Sequence, residues 1–159
     1  MAQTAYLAGG CFWGVEDLLR KVPGVLETEV GYMGGTVANP KYESVKTGKT
    51  GHAEAIRIQF DPTKLKYSEL LKLFFKLHDP TTLNRQGNDV GTQYRSAIFY
   101  QSDAEKQEAS DAIKAAQGAW KRPITTSLER FETFYPAEDY HQDYLVKNPS
   151  GYTCHFWRE

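Results

Sequence analysis

The stretch Ala5-Tyr6-Leu7-Ala8-Gly9-Gly10-Cys11-Phe12-Trp13-Gly14 decides how this chain is read. Its first four residues form a short apolar run, the mark of a strand. Beyond it, apolar residues stand at 15, 18, 19 and 22. That i, i+3, i+4, i+7 spacing is the period of an amphipathic helix. A strand therefore hands over to a helix at Cys11. The glycines before it permit a tight turn and close backbone approach. A helix start also offers unpaired N–H groups and a positive dipole end, both favourable to an anion such as a thiolate. A lone cysteine is more often a small buried hydrophobe than a nucleophile. Three glycines around an apolar triplet, however, make a poor core strand and a good exposed turn. Cys11 is thus the candidate nucleophile, with Phe12 and Trp13 as an apolar wall beside it.

Working outward, 159 residues suffice for one domain with a real core. Hydrophobic residues make up 40% and charged residues 25%, an ordinary balance for a soluble globular chain. Nineteen basic residues against twenty acidic ones give a formal charge of −1. That leaves no long-range field to gather nucleic acid or an anionic membrane. No 18-residue apolar stretch is present. The start, Met-Ala-Gln-Thr-Ala, lacks the charged and apolar regions of a signal peptide, so a cytoplasmic location is expected. The two cysteines, Cys11 and Cys154, belong to no C-x-x-C pair, which argues against a zinc ribbon or a thioredoxin-type motif. In a cytosolic chain they read as free thiols or a transient redox pair.

Residues 25–32 read as a second strand after the Pro23-Gly24 stop signal. From Met33 to His52 the chain is long for a plain connection, which favours a functional loop. Its Thr47-Gly48-Lys49-Thr50-Gly51-His52 run lacks the spacing of a phosphate loop. Ala53 to Phe60 is the cleanest strand. Period-two alternation places Glu54 on the same face as Ile56, Ile58 and Phe60, and Ala53 and Ala55 on the other. A carboxyl on an apolar face is either a strand-end residue whose head reaches solvent, or a desolvated acid able to give a proton near neutral pH. A helix capped by Ser68 carries Leu70, Leu73, Phe74 and Leu77. A loop dense in hydrogen-bonding side chains, 84–94, precedes a strand at 95–100. Ser102 and Glu105 fit a capping box for a helix whose core stripe runs through Ala109, Ala112, Ile113, Ala116 and Trp120. Thr125 to Tyr135 reads as one strand. His141 has no i+4 histidine partner, so its acidic neighbourhood reads as a helix turn and not as a metal site. No linker or repeat divides the chain. One domain, 1–159, is expected, with a C-terminal tail from about 136 that can move. Strands alternating with helices near 14, 70 and 105 indicate a sheet with helices packed on it.

From the residues alone, Cys11 as nucleophile, Glu54 as candidate acid and Cys154 as a second thiol suit thiol redox chemistry better than hydrolysis, because no supporting His or Asn arrangement is readable. Gly10-Cys11-Phe12-Trp13-Gly14 resembles the active-site signature of the A-type peptide methionine sulfoxide reductases. The resemblance extends to Pro40-Lys41-Tyr42-Glu43, Gly51-His52-Ala53-Glu54, Asp89-Val90-Gly91-Thr92-Gln93-Tyr94-Arg95-Ser96 and Tyr140-His141-Gln142-Asp143-Tyr144, in the family's order. It implies an α/β (α+β) two-layer sandwich, a mixed sheet with packed helices and a variant of the ferredoxin-like arrangement. It also implies that the Cys11 thiolate attacks the sulfoxide sulfur while protonated Glu54 gives a proton to the oxygen. Tyr42 and Tyr94 hold that oxygen, Asp89 is a polar member of the site, and Phe12 and Trp13 bind the substrate methyl. Cys154 then resolves the Cys11 sulfenic acid as a disulfide, which thioredoxin or another dithiol reduces. The substrate implied is the S epimer of methionine sulfoxide, free or in peptides and proteins, with no bound cofactor or metal, in a monomer. Some relatives carry two C-terminal cysteines that relay the disulfide outward; with Cys154 alone, a one-step route is expected. A thiol peroxidase and a non-enzymatic module that binds Met-containing peptides are the rival readings.

Overall fold

The structure, a computed structural model, describes every residue except Met1, Tyr152, Cys154 and Glu159. In chain order the elements are β1 (Gln3–Gly9), α1 (Phe12–Leu19), β2 (Val25–Met33), α2 (Tyr42–Val45), β3 (Ala53–Phe60), α3 (Tyr67–Leu77), β4 (Arg85–Gln86), β5 (Asp89–Val90), a 3-10 turn η1 (Thr92–Tyr94), β6 (Ser96–Tyr100), α4 (Asp103–Gln117), β7 (Ser127–Arg130), β8 (Tyr135–Pro136), a second 3-10 turn η2 (Asp139–His141) and α5 (Tyr144–Lys147). Six strands form one mixed sheet in the order β7-β6-β1-β3-β2-β8. The β6–β7 pair is parallel and the others are antiparallel. This is the mixed sheet with packed helices expected from the sequence.

Alternation along the strands sorts the core into two faces. Leu7, Val30, Tyr32, Ile56, Ile58, Phe60 and Ile98 join the helical residues Phe12, Val15, Leu19, Leu70, Leu71 and Phe74 in one buried cluster. The opposite face is built of small residues, Ala8, Ala53, Ala55 and Ala97, with Met33 and Phe99. Among the described residues no helical side chain joins that cluster. Phe131 and Phe134 pack on it instead, both against the ring of Tyr6.

That cover explains one misreading. Residues 125–135 are not one strand. They contribute β7 to one edge of the sheet and β8 to the other. Between them the chain leaves strand geometry to drive two phenylalanines onto the alanine-lined face. At Gly31 a Cβ would meet Phe134 Cζ at 2.6 Å, so the crossing is close enough to require a glycine in β2. Local periodicity cannot reveal such a crossing, because the apolar residues look the same in either arrangement.

Smaller differences have local causes. α3 starts one residue before Ser68, and its end is closed by the Glu69 carboxylate accepting from Lys66 N–H at 2.9 Å. Ser102 does cap α4, accepting from Glu105 N–H, but Trp120 lies beyond the end of that helix. The long connection 34–52 contains the short α2. It is pinned at its end by His52, whose Nδ1 accepts from Gly35 N–H and whose Nε2 lies 2.6 Å from the Val37 carbonyl. The described part of the C-terminal stretch is bonded to the body. Gln142 accepts from Val30 N–H and donates to the Val30 carbonyl, both at 2.9 Å, and Arg158 N–H reaches the Lys76 carbonyl. Among the described residues no helix is long and apolar enough to cross a membrane.

Candidate active site

β1 ends at Gly9, Gly10 turns with φ +98°, and Cys11 stands at the N-terminus of α1. The predicted strand-to-helix hand-over is therefore the observed one. Cys11 is buried, with 8% of its surface exposed. Its backbone carbonyl begins the helix by accepting from Val15 N–H.

Glu54 sits at the start of β3, paired across the sheet with Tyr32, and its side chain lies on the helix-covered face. Only 2% of it is exposed. Its Oε1 accepts from Phe12 N–H at 3.2 Å. One of the helix-start donors is thus taken by a carboxyl one residue from the cysteine. Burial pushes the Glu54 carboxyl up to about 8, and the negative charge of Asp89 adds to the shift, against the lowering effect of the Phe12 bond. Of the two readings open at the sequence level, a head in solvent or a desolvated acid, the geometry has the second.

Tyr42 and Tyr94 approach from two different loops. Tyr42 opens α2 and Tyr94 closes η1, just after the β4–β5 hairpin that carries Asp89. Desolvation raises both phenols, Tyr42 to about 12, and each also feels the charges of Glu54 and Cys11. Asp89 acts on Tyr94 as it does on Glu54. Cys11, Tyr42, Glu54, Asp89 and Tyr94, spread over 84 positions of sequence, therefore share one electrostatic neighbourhood. Half-buried phenols kept well above their ordinary value are hydrogen-bond donors at any physiological pH.

The aromatic wall is more specialised than the sequence indicates. Phe12 is a core ring, 1% exposed, packed on Tyr32 and His141. Trp13 is half-buried. It stacks on Tyr144 with centroids 3.8 Å apart and planes within 8°, and its indole N–H donates to His141 Nδ1 at 2.9 Å. Burial lowers His141 and keeps it neutral, which that acceptor role requires.

Four residues missed at the sequence level hold these side chains in place. Glu138 accepts from Tyr42 N–H at 3.0 Å and from the Tyr32 hydroxyl at 2.8 Å. Buried Glu16 accepts from Asp143 N–H and from the Thr28 hydroxyl, fixing Asp143 at φ +53° between η2 and α5. His141 orients Trp13. Arg95, next to Tyr94, makes a two-pronged pair with Glu129 and donates to the Gly51 and Thr92 carbonyls, tying the turn before β3 to η1. Apart from the Glu16–Thr28 and Arg95–Thr92 bonds, these partners lie 34 to 128 positions apart, beyond any local spacing rule. His141 and Arg95 lie within stretches that carry the family resemblance, and Glu138 beside one of them, but no spacing marks what they bond to. Among the described residues no group of three or more His, Cys, Asp or Glu could hold a metal ion. The Cys154 assignment lies outside the described residues.

The model of the family described as peptide methionine sulfoxide reductase matches residues 3–159. The chain belongs to the peptide methionine sulfoxide reductase family. It is 54% identical over 158 residues to the peptide methionine sulfoxide reductase MsrA 1 of Mesorhizobium japonicum, covering 98% of this chain and 90% of that one. The reduced form of Mxr1 from Saccharomyces cerevisiae superposes with a TM-score of 0.95 at 40% identity, covering 99% of this chain and 93% of the yeast chain. The same yeast protein in complex with Trx2 matches with a TM-score of 0.68 at 28% identity, covering 99% and 91%. Membership of the peptide methionine sulfoxide reductases makes the chain an oxidoreductase acting on a sulfoxide.

Proposed function

We propose that this reductase acts on the S epimer of methionine sulfoxide, free or within peptides and proteins, through Cys11. The observation that carries the reading is the Glu54 carboxyl, buried to 2% exposure and accepting from the N–H of Phe12, the residue next to the cysteine. Reducing S=O with a thiol needs a proton on the oxygen as the S–O bond weakens, and a carboxyl near 8 holds one at neutral pH. The Cys11 thiolate attacks the sulfoxide sulfur. Glu54 gives its proton to the oxygen, and the Tyr42 and Tyr94 hydroxyls donate to it as charge builds. Burial keeps Glu54 protonated, and the charge of Asp89 adds to that. Half-buried Trp13 supplies the apolar surface for the substrate methyl, with the buried Phe12 ring behind it against His141. Methionine leaves and Cys11 is left as a sulfenic acid.

The chain works as one catalytic unit whose C-terminal segment delivers Cys154. The Cys154 thiolate attacks Cys11 Sγ, the S–S bond forms, the S–O bond breaks and water leaves. A dithiol then reduces the disulfide by exchange. Thioredoxin is the proposed reductant, in keeping with the Trx2 complex of the yeast protein. No bound cofactor enters this cycle.

Turnover of resolved S and R methionine sulfoxide with dithiothreitol tests the reading. Reduction of S alone is expected. Equal rates for both epimers would overturn the epimer assignment. Reduction of hydrogen peroxide without sulfoxide turnover would instead favour a thiol peroxidase. A second expectation concerns recycling. Cys154→Ser should form the first equivalent of methionine at the normal rate and then stall with thioredoxin as the only reductant. Undiminished thioredoxin-driven turnover would remove Cys154 from the cycle.

A further inference from the structure

Gly14 is an odd residue for its place. It is third in α1, with ordinary helical φ, where glycine costs roughly 1 kcal/mol against alanine. Backbone conformation does not call for it; space does. A Cβ at Gly14 would overlap both His155 Nδ1 and Thr153 Oγ1. A Cβ at Gly10, on the other side of Cys11, would lie 3.1 Å from His155 Nε2 and 2.7 Å from Gln86 Cγ. The His155 ring thus fills a notch made by the two glycines that bracket the cysteine turn.

The ring is seated there by a bond. His155 Nε2 lies 2.6 Å from the Gly9 carbonyl oxygen. A carbonyl only accepts, so Nε2 carries the proton. The imidazole is 6% exposed, and burial pulls it down to about 4, so it stays neutral. His155 N–H also donates to Thr153 Oγ1 at 3.1 Å. Further on, Arg158 N–H is held by the Lys76 carbonyl of α3 at 2.9 Å. His155 is thus bonded to the end of β1, and the Thr153 and His155 side chains lie against Gly14 in the first turn of α1, the two elements that present Cys11.

We propose that His155, latched to the Gly9 carbonyl in the notch cut by Gly10 and Gly14, is a positioning residue for disulfide formation, holding the C-terminal chain against the nucleophile turn. The inference rests on the reading of Cys154 as the resolving thiol. A thiol held beside its target reacts at a far higher effective concentration than one on a loose tail. The latch acts after methionine has left, so it governs the second chemical step and not the first.

The test uses the full-length protein, rapid quenching and R,S-methionine sulfoxide without reductant. Methionine formation and Cys11–Cys154 disulfide formation are followed separately, and dimedone traps the Cys11 sulfenic acid. His155→Leu removes the donor while filling the space. Gly14→Ala fills the notch from the helix side and favours α1. Both should form methionine within about twofold of the normal rate, yet form the disulfide at least about tenfold more slowly, with dimedone-labelled Cys11 accumulating. His155→Gln, whose amide Nε2–H can reach the same carbonyl, should restore the disulfide rate to within about threefold. Normal disulfide rates in both His155→Leu and Gly14→Ala would overturn the latch. So would a parallel fall in methionine formation, which would mark a damaged nucleophile turn. Absence of any Cys11–Cys154 disulfide in the unmodified protein would instead overturn the resolver reading on which the latch rests.

Discussion

Cys11→Ser should abolish methionine formation while leaving the protein folded. Oxygen replaces sulfur at a buried helix start, a change of one atom that leaves the glycine turn and the Val15 to Cys11 backbone bond intact. The chemistry does not survive it. A serine hydroxyl is not ionised at neutral pH and cannot become the sulfenic acid on which the cycle depends. Loss of the group that forms the covalent intermediate reduces turnover by about 10⁶-fold in comparable systems, here to the detection limit. The measurement is methionine produced from the S epimer with dithiothreitol, with the melting temperature as a control. Turnover within tenfold of normal would exclude Cys11 as the nucleophile. Saturable binding of the sulfoxide should persist, because Trp13, Tyr42 and Tyr94 are untouched.

Glu54→Gln should slow the sulfoxide step by about 10²- to 10⁴-fold, the scale of a lost general acid. Glutamine keeps an acceptor for Phe12 N–H and the same volume, so geometry is preserved and the proton alone is removed. The same proton sets a pH profile. With its carboxyl at about 8, Glu54 is protonated at neutral pH and loses its proton as pH rises through that value. The single-turnover rate should therefore fall on the alkaline side by about tenfold per pH unit, and the fall should vanish in Glu54→Gln. Stability moves the opposite way in the variant. The carboxyl titrates at about 8 when folded and near the ordinary 4.5 when unfolded. Between those values the unfolded chain has released its proton and the folded protein has not, so stability declines with rising pH across that window and levels off above it. Glutamine removes this penalty, on the order of a few kcal/mol, and the variant should melt at a higher temperature at pH 7. A slower enzyme that is also more stable cannot be ascribed to misfolding. An unchanged single-turnover rate would remove Glu54 from the mechanism.

The readings that came true were those set by local chemistry. The glycine turn, the helix period after Cys11 and the strict alternation of Ala53–Phe60 each express a repeat of two to four residues, and each is visible in the fold. The same alternation puts Glu54 on an apolar face, where the fold has it. What stayed hidden depends on partners far along the chain. Glu138 reads as one more acid near a helix turn; only the fold shows it accepting from Tyr42 N–H, 96 positions away. His155 reads as a polar tail residue; only the fold shows it 146 positions from Gly9 in sequence and bonded to its carbonyl. The 125–135 segment was misread for the same reason, since its apolar residues serve a face of the sheet and not a continuous ladder.

That segment constrains the shape of the whole sheet. Phe131 N–H is still bonded to the Tyr100 carbonyl beside one edge, and Tyr135 already pairs with Tyr32 at the other. Four steps of extended chain reach at most about 14 Å. Six strands laid flat at about 4.8 Å spacing would set their outer members about 24 Å apart. The strip between Phe131 and Tyr135 is too short to span a flat sheet, so it acts as a bowstring, and the six strands bend toward it. The bend leaves each rim closed by a strand of no more than four residues, which limits the open backbone available for edge-to-edge aggregation. It also carries the chain, three residues beyond the far end of the string, to Glu138, which accepts from Tyr42 N–H. The curvature of the scaffold and the position of the phenol proposed to bind the sulfoxide oxygen are set by one short length of chain.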